Sequence, residues 1–274
     1  MKISFNTFVF SSFPRFLPTY SLDETIRFLA ETGYDAVEIG CVAPHAWPRH
    51  LSKARRAQIR ALAEDCGIAV SALLPAIGGG FGCNPCSIIL AERQATIEHY
   101  LEVIDLAADL GAGMVNYIAG WRAEGMEREE GWAHSLACLS QIAAHAADRN
   151  ITIAIEPTTA DTNLVDTAAD GRRMMEEVGR ANVKLMFDSV HVAADNDDLP
   201  SYVAAMGADL VNIHAAETGR VAIGDGDMDW PALAAALKAS DYAGYFTVET
   251  GFGSPADPRD VARRSLDTIR RLAM

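Results

Sequence analysis

The chain has 274 residues, of which 50% are hydrophobic, and its formal net charge is −14 with a sequence pI of about 4.8. This length fits one large α/β domain or two small ones, and so acidic a surface disfavours a nucleic-acid partner, because phosphate binding draws on clustered Lys and Arg. No apolar run reaches about 18 residues, so we expect no transmembrane helix.

The predicted elements alternate along the chain, each short β-branched run being followed by a longer helical pattern. The N-terminal MKISFNTFVF lacks the apolar core and cleavage site of a signal peptide and is predicted to be the first strand. SLDE at Ser21–Glu24 has the spacing of a capping box and predicts the start of the first helix. The predicted strands are Ile3–Val9, Ala36–Ile39, Ile68–Leu73, Met114–Ile118, Thr152–Glu156, Lys184–Asp188, Leu210–His214 and Tyr245–Glu249. The predicted helices cover 22–32, 52–66, 91–110, 131–149, 168–178, 199–206, 231–239 and 259–272.

Eight strand–helix units in about 250 residues predict a (β/α)8 barrel, a TIM barrel of class α/β. Continuous apolar strands that alternate with helices are typical of a parallel sheet covered by helices. A doubly wound open sheet is the alternative, but it usually carries a glycine-rich phosphate loop after its first strand. The segment FVFSSFPRFLP at that place has no G-x-G-x-x-G. No linker or shift in composition divides the chain, so we expect one barrel domain over residues 1–274.

The longest predicted loop, residues 74–90, is rich in Gly and Pro and is expected to shape the pocket or an interface. It contains Cys83 and Cys86, two of the five cysteines. A zinc or redox role would need a second pair or a thioredoxin-like context, so we interpret them as simple loop cysteines. An odd number of cysteines in a chain without a secretory signal indicates reduced thiols and a cytoplasmic location.

Four consecutive predicted strands each end an apolar run with an ionisable side chain. In a barrel of this kind, functional residues gather at the C-terminal ends of the strands. A lone histidine there is ordinarily a hydrogen-bonded structural residue, whereas three carboxylates at one barrel mouth repel each other unless a cation neutralises them. The set therefore predicts a divalent metal site. Its members are Glu156, Asp188, His214 and Glu249.

This oxygen-rich set with one imidazole favours Mn²⁺, Mg²⁺ or Co²⁺ over a structural zinc. Such an ion would hold the carbonyl and a neighbouring hydroxyl of a sugar, acidify the adjacent C–H and stabilise the enediolate. Glu156 and Glu249 come from strands that are not neighbours, so they are able to flank a substrate as an acid/base pair. Return of the proton on the opposite face gives an epimer, and proton transfer between carbons on one face gives an aldose–ketose isomerisation.

Two further residues are able to donate to a developing oxyanion. His191 follows Asp188 in the segment DSVH, and Arg220 lies in the loop after His214. For Arg220 the alternative is a surface salt bridge with Glu217 of the same loop.

At these residues the sequence resembles the xylose isomerase-like barrel superfamily of sugar isomerases and epimerases, most closely the ketose 3-epimerases of the D-tagatose/D-allulose type. The likeness covers the whole chain and is strongest over 150–250. It implies that the four strand-end residues bind Mn²⁺ most readily, with Co²⁺ and Mg²⁺ as alternatives, and that the two glutamates form the acid/base pair. It further implies that His191 and Arg220 contact a small-molecule sugar and that the protein is a homodimer or homotetramer. The His-to-Arg spacing in HAAETGRVAIGDGDMDW fits this pattern.

The first half, with GYDAVEIGCVAPHAW, is similar to fructoselysine 3-epimerases of the same superfamily. One departure follows strand five: where 3-epimerases usually carry another sugar-contacting glutamate, EPTTADTNLV offers Asp161, Thr162 and Asn163. The identity of the substrate therefore stays open. We also expect two further substrate-binding residues, His45 and Glu217. Other candidates for the pocket lining, each with core or rim packing as its alternative, are Asn6, Phe8, Glu38, Trp121 and Phe252.

Several other functions use this scaffold. Hydroxypyruvate isomerases and inosose isomerases or dehydratases share the four metal ligands, and only the loops near 8–20, 41–50 and 74–90 would separate them. An abasic-site endonuclease would need more ligands for a trinuclear zinc cluster and a basic groove, which seven histidines and the acidic charge disfavour. A non-catalytic sugar-binding protein has no use for three like charges held together. The lack of a Lys/Arg cluster near the mouth favours an unphosphorylated sugar.

Overall fold

The computed structural model describes residues 1–11, 19–76, 83–251 and 257–272. Its strands form a closed barrel in which each strand pairs in parallel with its sequence neighbours and the last pairs with the first. This order confirms the predicted (β/α)8 barrel. The strands are β1 Lys2–Asn6, β2 Ala36–Gly40, β3 Ala69–Leu74, β4 Met114–Ile118, β5 Thr152–Glu156, β6 Val183–Asp188, β7 Leu210–Ala215 and β8 Tyr245–Val248.

Every predicted helix has a counterpart, and one short helix, α6, was not predicted, because six residues are too few to show a helical period. None of the helices in the described ranges is long and apolar enough to cross a membrane. The α-helices are α1 Leu22–Thr32, α2 Lys53–Asp65, α3 Leu90–Leu110, α4 Arg128–Ala147, α5 Ala168–Val178, α6 Ser189–Ala194, α7 Leu199–Met206, α8 Trp230–Ala239 and α9 Pro258–Arg271. Short 3₁₀ turns cover Thr7–Phe10, Pro48–His50 and Gly207–Asp209.

Side-chain caps set the ends of the first elements. The first strand ends at Asn6, earlier than predicted, because the Asn6 side chain accepts a hydrogen bond from the Phe8 amide at 2.8 Å and starts a 3₁₀ turn. The predicted capping box is present: the Ser21 hydroxyl accepts from the Glu24 amide, and the Glu24 carboxylate accepts from the Ser21 amide. Helix α1 then ends at Thr32 and is capped by Gly33, whose φ of 102° favours glycine.

The apolar core lies between the sheet and the helices, where strand residues such as Phe5 pack with helix residues such as Ile26. The barrel interior is different in kind, because alternate residues of a strand point to opposite faces. Side chains from strands that are not neighbours meet there, with the hydroxyls of Ser4 and Ser71 lying 2.8 Å apart. Since all strands are parallel, their C-terminal ends open at one mouth, and the interior carries polar groups toward it.

Candidate metal centre

The four predicted ligands meet at this mouth. Ligand atoms of Asp188, His214 and Glu249 all lie within 4.8 Å of one another. Nδ1 of His214 lies 3.2 Å from Oε1 of Glu156 and 3.2 Å from Oε2 of Glu249. All four side chains are buried. The structure thus brings the predicted ligands together, and their binding of a metal stays a prediction.

Strand pairing and one helix cap fix these positions. Asp188 on β6 pairs with His214 on β7, and the Glu249 amide donates to the Ala215 carbonyl at 3.0 Å. The Oδ1 atom of Asp188 accepts from the Val190 amide at 2.9 Å and caps α6. Its Oδ2 atom is buried and faces the Arg220 guanidinium, 2.8 Å from Nη1. One carboxylate oxygen is therefore committed to the backbone, and the other is left for the centre.

The charges of the centre act on one another. Burial raises the pKa of Glu156, and the nearby His214 offsets only part of that rise. Burial acts in the same direction on Glu249, but His214 and Arg220 outweigh it and hold the pKa of Glu249 well below its ordinary range. For His214, burial disfavours the charged ring, yet the carboxylates of Glu38, Glu249 and Glu156 raise its pKa well above the ordinary value. Carboxylates thus surround one imidazole in a site that attracts positive charge.

Arg220 brings a cation to the same oxygens. Its Nη1 atom lies 2.7 Å from Oε2 of Glu249 and 2.8 Å from Oδ2 of Asp188. The side chain is largely buried, at 15% exposure, and so differs from the surface pair that the sequence also allowed. Its backbone has a φ of 56°, which is uncommon for a residue other than glycine, and its carbonyl accepts from the Gly251 amide at 2.7 Å. The loop therefore holds Arg220 at the centre.

His191 lies on α6 beside the same carboxylates. One of its ring nitrogens is within 4.8 Å of ligand oxygens of Glu156 and Asp188. Its Nδ1 accepts from the Ala160 amide at 3.2 Å, so a neutral ring carries its proton on Nε2. The exposed Asp161 lies at the rim, with Oδ2 3.7 Å from Nε2 of His191 and 3.7 Å from the Arg220 guanidinium. Both predicted substrate donors are therefore at the mouth, next to one acidic rim residue.

Glu38 is part of the centre, although the sequence indicated only a residue of the pocket lining. Its carboxylate is fully buried and lies 2.8 Å from Nε2 of His214, on the opposite side of the ring from Nδ1. The side-chain amides of Asn6, Asn116 and Asn212 also donate to it. A related signal was present, because AVEIG places a glutamate inside an apolar strand, whereas the residues singled out on β5 to β8 each end an apolar run.

The carboxylate of Glu217 makes its hydrogen bonds within its own loop. Oε1 accepts from the Gly224 amide at 2.8 Å and from the Trp230 indole at 2.6 Å, and Oε2 accepts from the Met228 amide at 3.1 Å. These three donors engage both oxygens within the loop, and the predicted contact of Glu217 with a substrate stays a prediction. Glu217 closes the loop that carries Arg220.

The remaining predicted pocket residues have mixed outcomes. His45 is buried, with Nε2 2.8 Å from the Tyr20 carbonyl and Nδ1 without a hydrogen-bond partner among the described residues. No contact among the described residues joins it to the four ligands, and its substrate role stays a prediction. Asn6 bridges Glu38 and Glu249, at 2.7 and 3.3 Å. Phe252 lies outside the described residues.

The residues present fit a divalent cation. Nδ1 of His214 is buried and makes no hydrogen bond within the described residues, although oxygens of Glu156 and Glu249 lie 3.2 Å away, and such an atom is costly unless something binds it. The Arg220 guanidinium already shows that oxygens of Asp188 and Glu249 are arranged to share one positive charge. Carboxylate oxygens with a single imidazole suit hard or borderline ions such as Mg²⁺, Mn²⁺ and Co²⁺.

Comparisons with known proteins agree with this fold. The family model described as a xylose isomerase-like TIM barrel matches residues 26–272. The chain is 27% identical over 237 residues to the L-ribulose 3-epimerase of Methylomonas sp. (strain DH-1), covering 86% of this chain and 80% of that one. It is 25% identical over 261 residues to the fructoselysine 3-epimerase of Shigella flexneri, covering 92% and 93%. A crystal structure of a D-psicose 3-epimerase in the presence of D-fructose superposes with a TM-score of 0.85 over 99% of both chains at 22% identity, a likeness of fold.

Proposed function

The chain belongs to the xylose isomerase-like TIM barrel family, and on this premise we propose that it is a divalent-metal-dependent epimerase that inverts C3 of a ketose. The observation that carries the proposal is the approach of two glutamates to one predicted metal ligand. Oε1 of Glu156 and Oε2 of Glu249 each lie 3.2 Å from Nδ1 of His214. The sugar 3-epimerases among its relatives support the same reaction class.

The two glutamates perform the proton transfers. When bound, a divalent cation polarises the ketose carbonyl and acidifies the neighbouring C–H. Glu156 ends β5 and Glu249 follows β8, so they stand on either side of the ligands from β6 and β7. One glutamate removes the C3 proton from one face of the sugar, and the other delivers a proton to the opposite face. The electron pair left at C3 spreads onto the carbonyl oxygen in between, and the configuration at C3 is inverted.

Arg220 and His191 donate hydrogen bonds to the carbonyl oxygen of the ketose. Negative charge develops on it during deprotonation, and N–H donors fixed in advance stabilise such charge. The Arg220 guanidinium and the Nε2–H of His191 are the donors available at the mouth. Arg220 is largely buried and His191 is buried. Electrostatic interactions are stronger in the protein interior than in water, because the effective dielectric constant is lower there.

The finer assignments are part of the same proposal. We assign Mn²⁺ as the preferred ion, Glu156, Asp188, His214 and Glu249 as its ligands, and an unphosphorylated ketose as the substrate. The acidic rim residue Asp161, within 3.7 Å of both donors, supports a neutral sugar because it would repel a phosphate. A cytoplasmic location, a homo-oligomeric state and one domain over residues 1–274 stay predictions.

The test is incubation with a panel of free ketoses and Mn²⁺ in D₂O, followed by NMR. We expect deuterium at C3 together with the C3 epimer. Deuterium only at C1 or C2 would redirect the assignment to aldose–ketose isomerisation, and no exchange into any sugar would contradict the proposal. Glu156→Gln should abolish the exchange, while Glu176→Gln, which changes an exposed glutamate of α5, should leave it unchanged.

A further inference from the structure

Glu38 is a buried carboxylate whose hydrogen bonds are all satisfied by the barrel interior. Its Oε1 lies 2.7 Å from the side-chain amide nitrogen of Asn6 and 2.8 Å from Nε2 of His214. Its Oε2 lies 3.1 and 3.2 Å from the amide nitrogens of Asn116 and Asn212. Each oxygen thus has two partners, and rotation of the carboxylate would break several hydrogen bonds at once.

The arrangement fixes which nitrogen of His214 carries a proton. If Nε2 were an unprotonated acceptor, its lone pair would face the Glu38 carboxylate at 2.8 Å, which is repulsive. The Asn116 amide nitrogen also lies 3.3 Å from Nε2, but the contact with the Glu38 carboxylate is shorter, at 2.8 Å, and an ionised carboxylate only accepts, so it requires the proton on Nε2. Nε2–H therefore donates to Glu38, and the lone pair of a neutral ring is on Nδ1, the nitrogen that faces Glu156 and Glu249.

We propose that Glu38 is a positioning residue that holds the His214 ring through Nε2–H and so presents Nδ1 to a divalent cation. This inference rests on the proposed metal-dependent function. A ligand histidine whose other ring N–H is held by a carboxylate is fixed in tautomer and orientation and is a more basic ligand. Asn6 extends the effect, because its amide also lies 3.3 Å from Oε1 of Glu249, a second predicted ligand.

The polar side chains of the barrel interior explain why the buried negative charge of Glu38 is tolerated. The three asparagines come from β1, β4 and β7, and their amides converge on a glutamate from β2. An anion with four donors loses less on burial than an isolated one, because hydrogen bonds replace its water shell. The strands thus place a fixed hydrogen-bond acceptor next to Nε2 of His214. Its side chain, that of Glu38, is fully buried, at 0% exposure.

The test compares Mn²⁺ binding to the metal-free full chain by calorimetry in the wild type and two variants. Glu38→Ala removes the acceptor, and we expect its Kd for Mn²⁺ to rise about 10- to 100-fold. Glu38→Gln keeps an oxygen that accepts from Nε2–H but loses the charge, so its Kd should rise less, by roughly 10-fold or below. Ser71→Ala removes another buried hydrogen bond of the barrel interior, between Ser71 and Ser4, and should leave the Kd unchanged.

A spectroscopic readout separates positioning from a general loss of stability. In the Co²⁺-loaded protein, proton NMR should show one hyperfine-shifted exchangeable signal from Nε2–H of His214. We expect the signal to persist in Glu38→Gln and to be lost to solvent exchange in Glu38→Ala.

The outcomes distinguish this inference from the proposed function. Wild-type protein that binds neither Mn²⁺ nor Co²⁺ would overturn both. Tight binding by the wild type with an equal Kd and an unchanged signal in Glu38→Ala would overturn the role of Glu38 alone. Should Glu38→Ala fail to fold, the glutamine variant decides, and a Kd equal to that of Ser71→Ala counts against the inference.

Discussion

The guanidinium of Arg220 lies 2.7 Å from the carboxylate of Glu249, so a cationic side chain pairs with a predicted metal ligand. The same Nη1 atom also contacts Asp188 at 2.8 Å. Arg220 and a divalent cation therefore attract the same two oxygens. If the proposed function holds, we expect this competition to give Arg220 two opposite effects, one on metal binding and one on catalysis.

We predict that Arg220→Gln binds Mn²⁺ more tightly than the wild type, because removing a positive charge frees the ligands and ends its repulsion of the ion. The Kd should fall by about 10-fold, equivalent to about 1.4 kcal/mol. Loss of an oxyanion donor should lower kcat by about 10²- to 10³-fold. Calorimetry and steady-state epimerisation measure the two effects. Arg172→Gln, which removes an ion pair with Asp209 away from the mouth, is the control, and weaker Mn²⁺ binding by Arg220→Gln would rule out the competition.

The predicted ligands could be found from the sequence because each ends a continuous apolar strand with an ionisable group, which is a local pattern. The parallel barrel then places all such ends at one mouth. The asparagine contacts of Glu38 are not local: Glu38 and Asn212 are 174 positions apart, and only the closure of the barrel brings them together. The sequence could flag Glu38 and His214 separately, as ionisable residues of apolar strands, but it could not show that they contact each other.

Glu217 and Arg220 show a second limit of sequence reasoning. Both are charged residues of one loop, and composition does not tell which of them lies at the carboxylates of the barrel mouth. The distinction depends on backbone geometry, since Arg220 has a φ of 56° and Glu217 folds back onto the amides of Gly224 and Met228. Helix α1, by contrast, was predictable in detail, because the residues that cap its two ends directly flank the helix in the sequence.

The Glu217 carboxylate should be a major contributor to the stability of this loop. Glu217→Gln replaces one of the two carboxylate oxygens by an NH₂ group. Whichever way the amide is turned, this NH₂ group faces an N–H donor of the loop and cannot accept its hydrogen bond. We expect a loss of about 1–3 kcal/mol in the free energy of unfolding, measured in urea. Trp230→Phe removes only one of the three donors and should cost less through hydrogen bonding. Equal stability of Glu217→Gln and the wild type would mean that the carboxylate does not hold the loop.

His99 should make folding stability depend on pH. Burial, and then the nearby Arg49, lower the pKa of His99 to about 4. The unfolded chain binds a proton near pH 6.5 and the folded chain does not, so stability is full above pH 6.5 and is lost as the pH falls toward 4. Between pH 7 and pH 5 the contribution should fall by about 2 kcal/mol.

The variant His99→Gln isolates this effect. A glutamine oxygen is still able to accept from the Ala76 amide, which donates to Nε2 of His99 at 3.2 Å, but glutamine does not titrate. Urea unfolding of the chelator-treated protein at both pH values should show a smaller loss in the variant by about 2 kcal/mol. The buried His45 adds its own pH dependence equally to both proteins. Parallel pH curves would show that His99 is not the source.

Asp188 allows metal binding to be separated from helix capping. Asp188→Asn retains an oxygen for the Val190 amide, so α6 should stay capped, while the charge on the second oxygen is lost. Wild-type protein with Mn²⁺ at 100 times its Kd should gain about 2.7 kcal/mol, or roughly 5–10 °C in Tm for a chain of this size. The variant should melt close to the metal-free wild type and show little shift on adding Mn²⁺. Asp198→Asn alters a comparable cap on α7, where Oδ1 accepts from the Ser201 amide, and should keep the full shift. An equal Mn²⁺ shift in Asp188→Asn would remove this carboxylate from the ligand set.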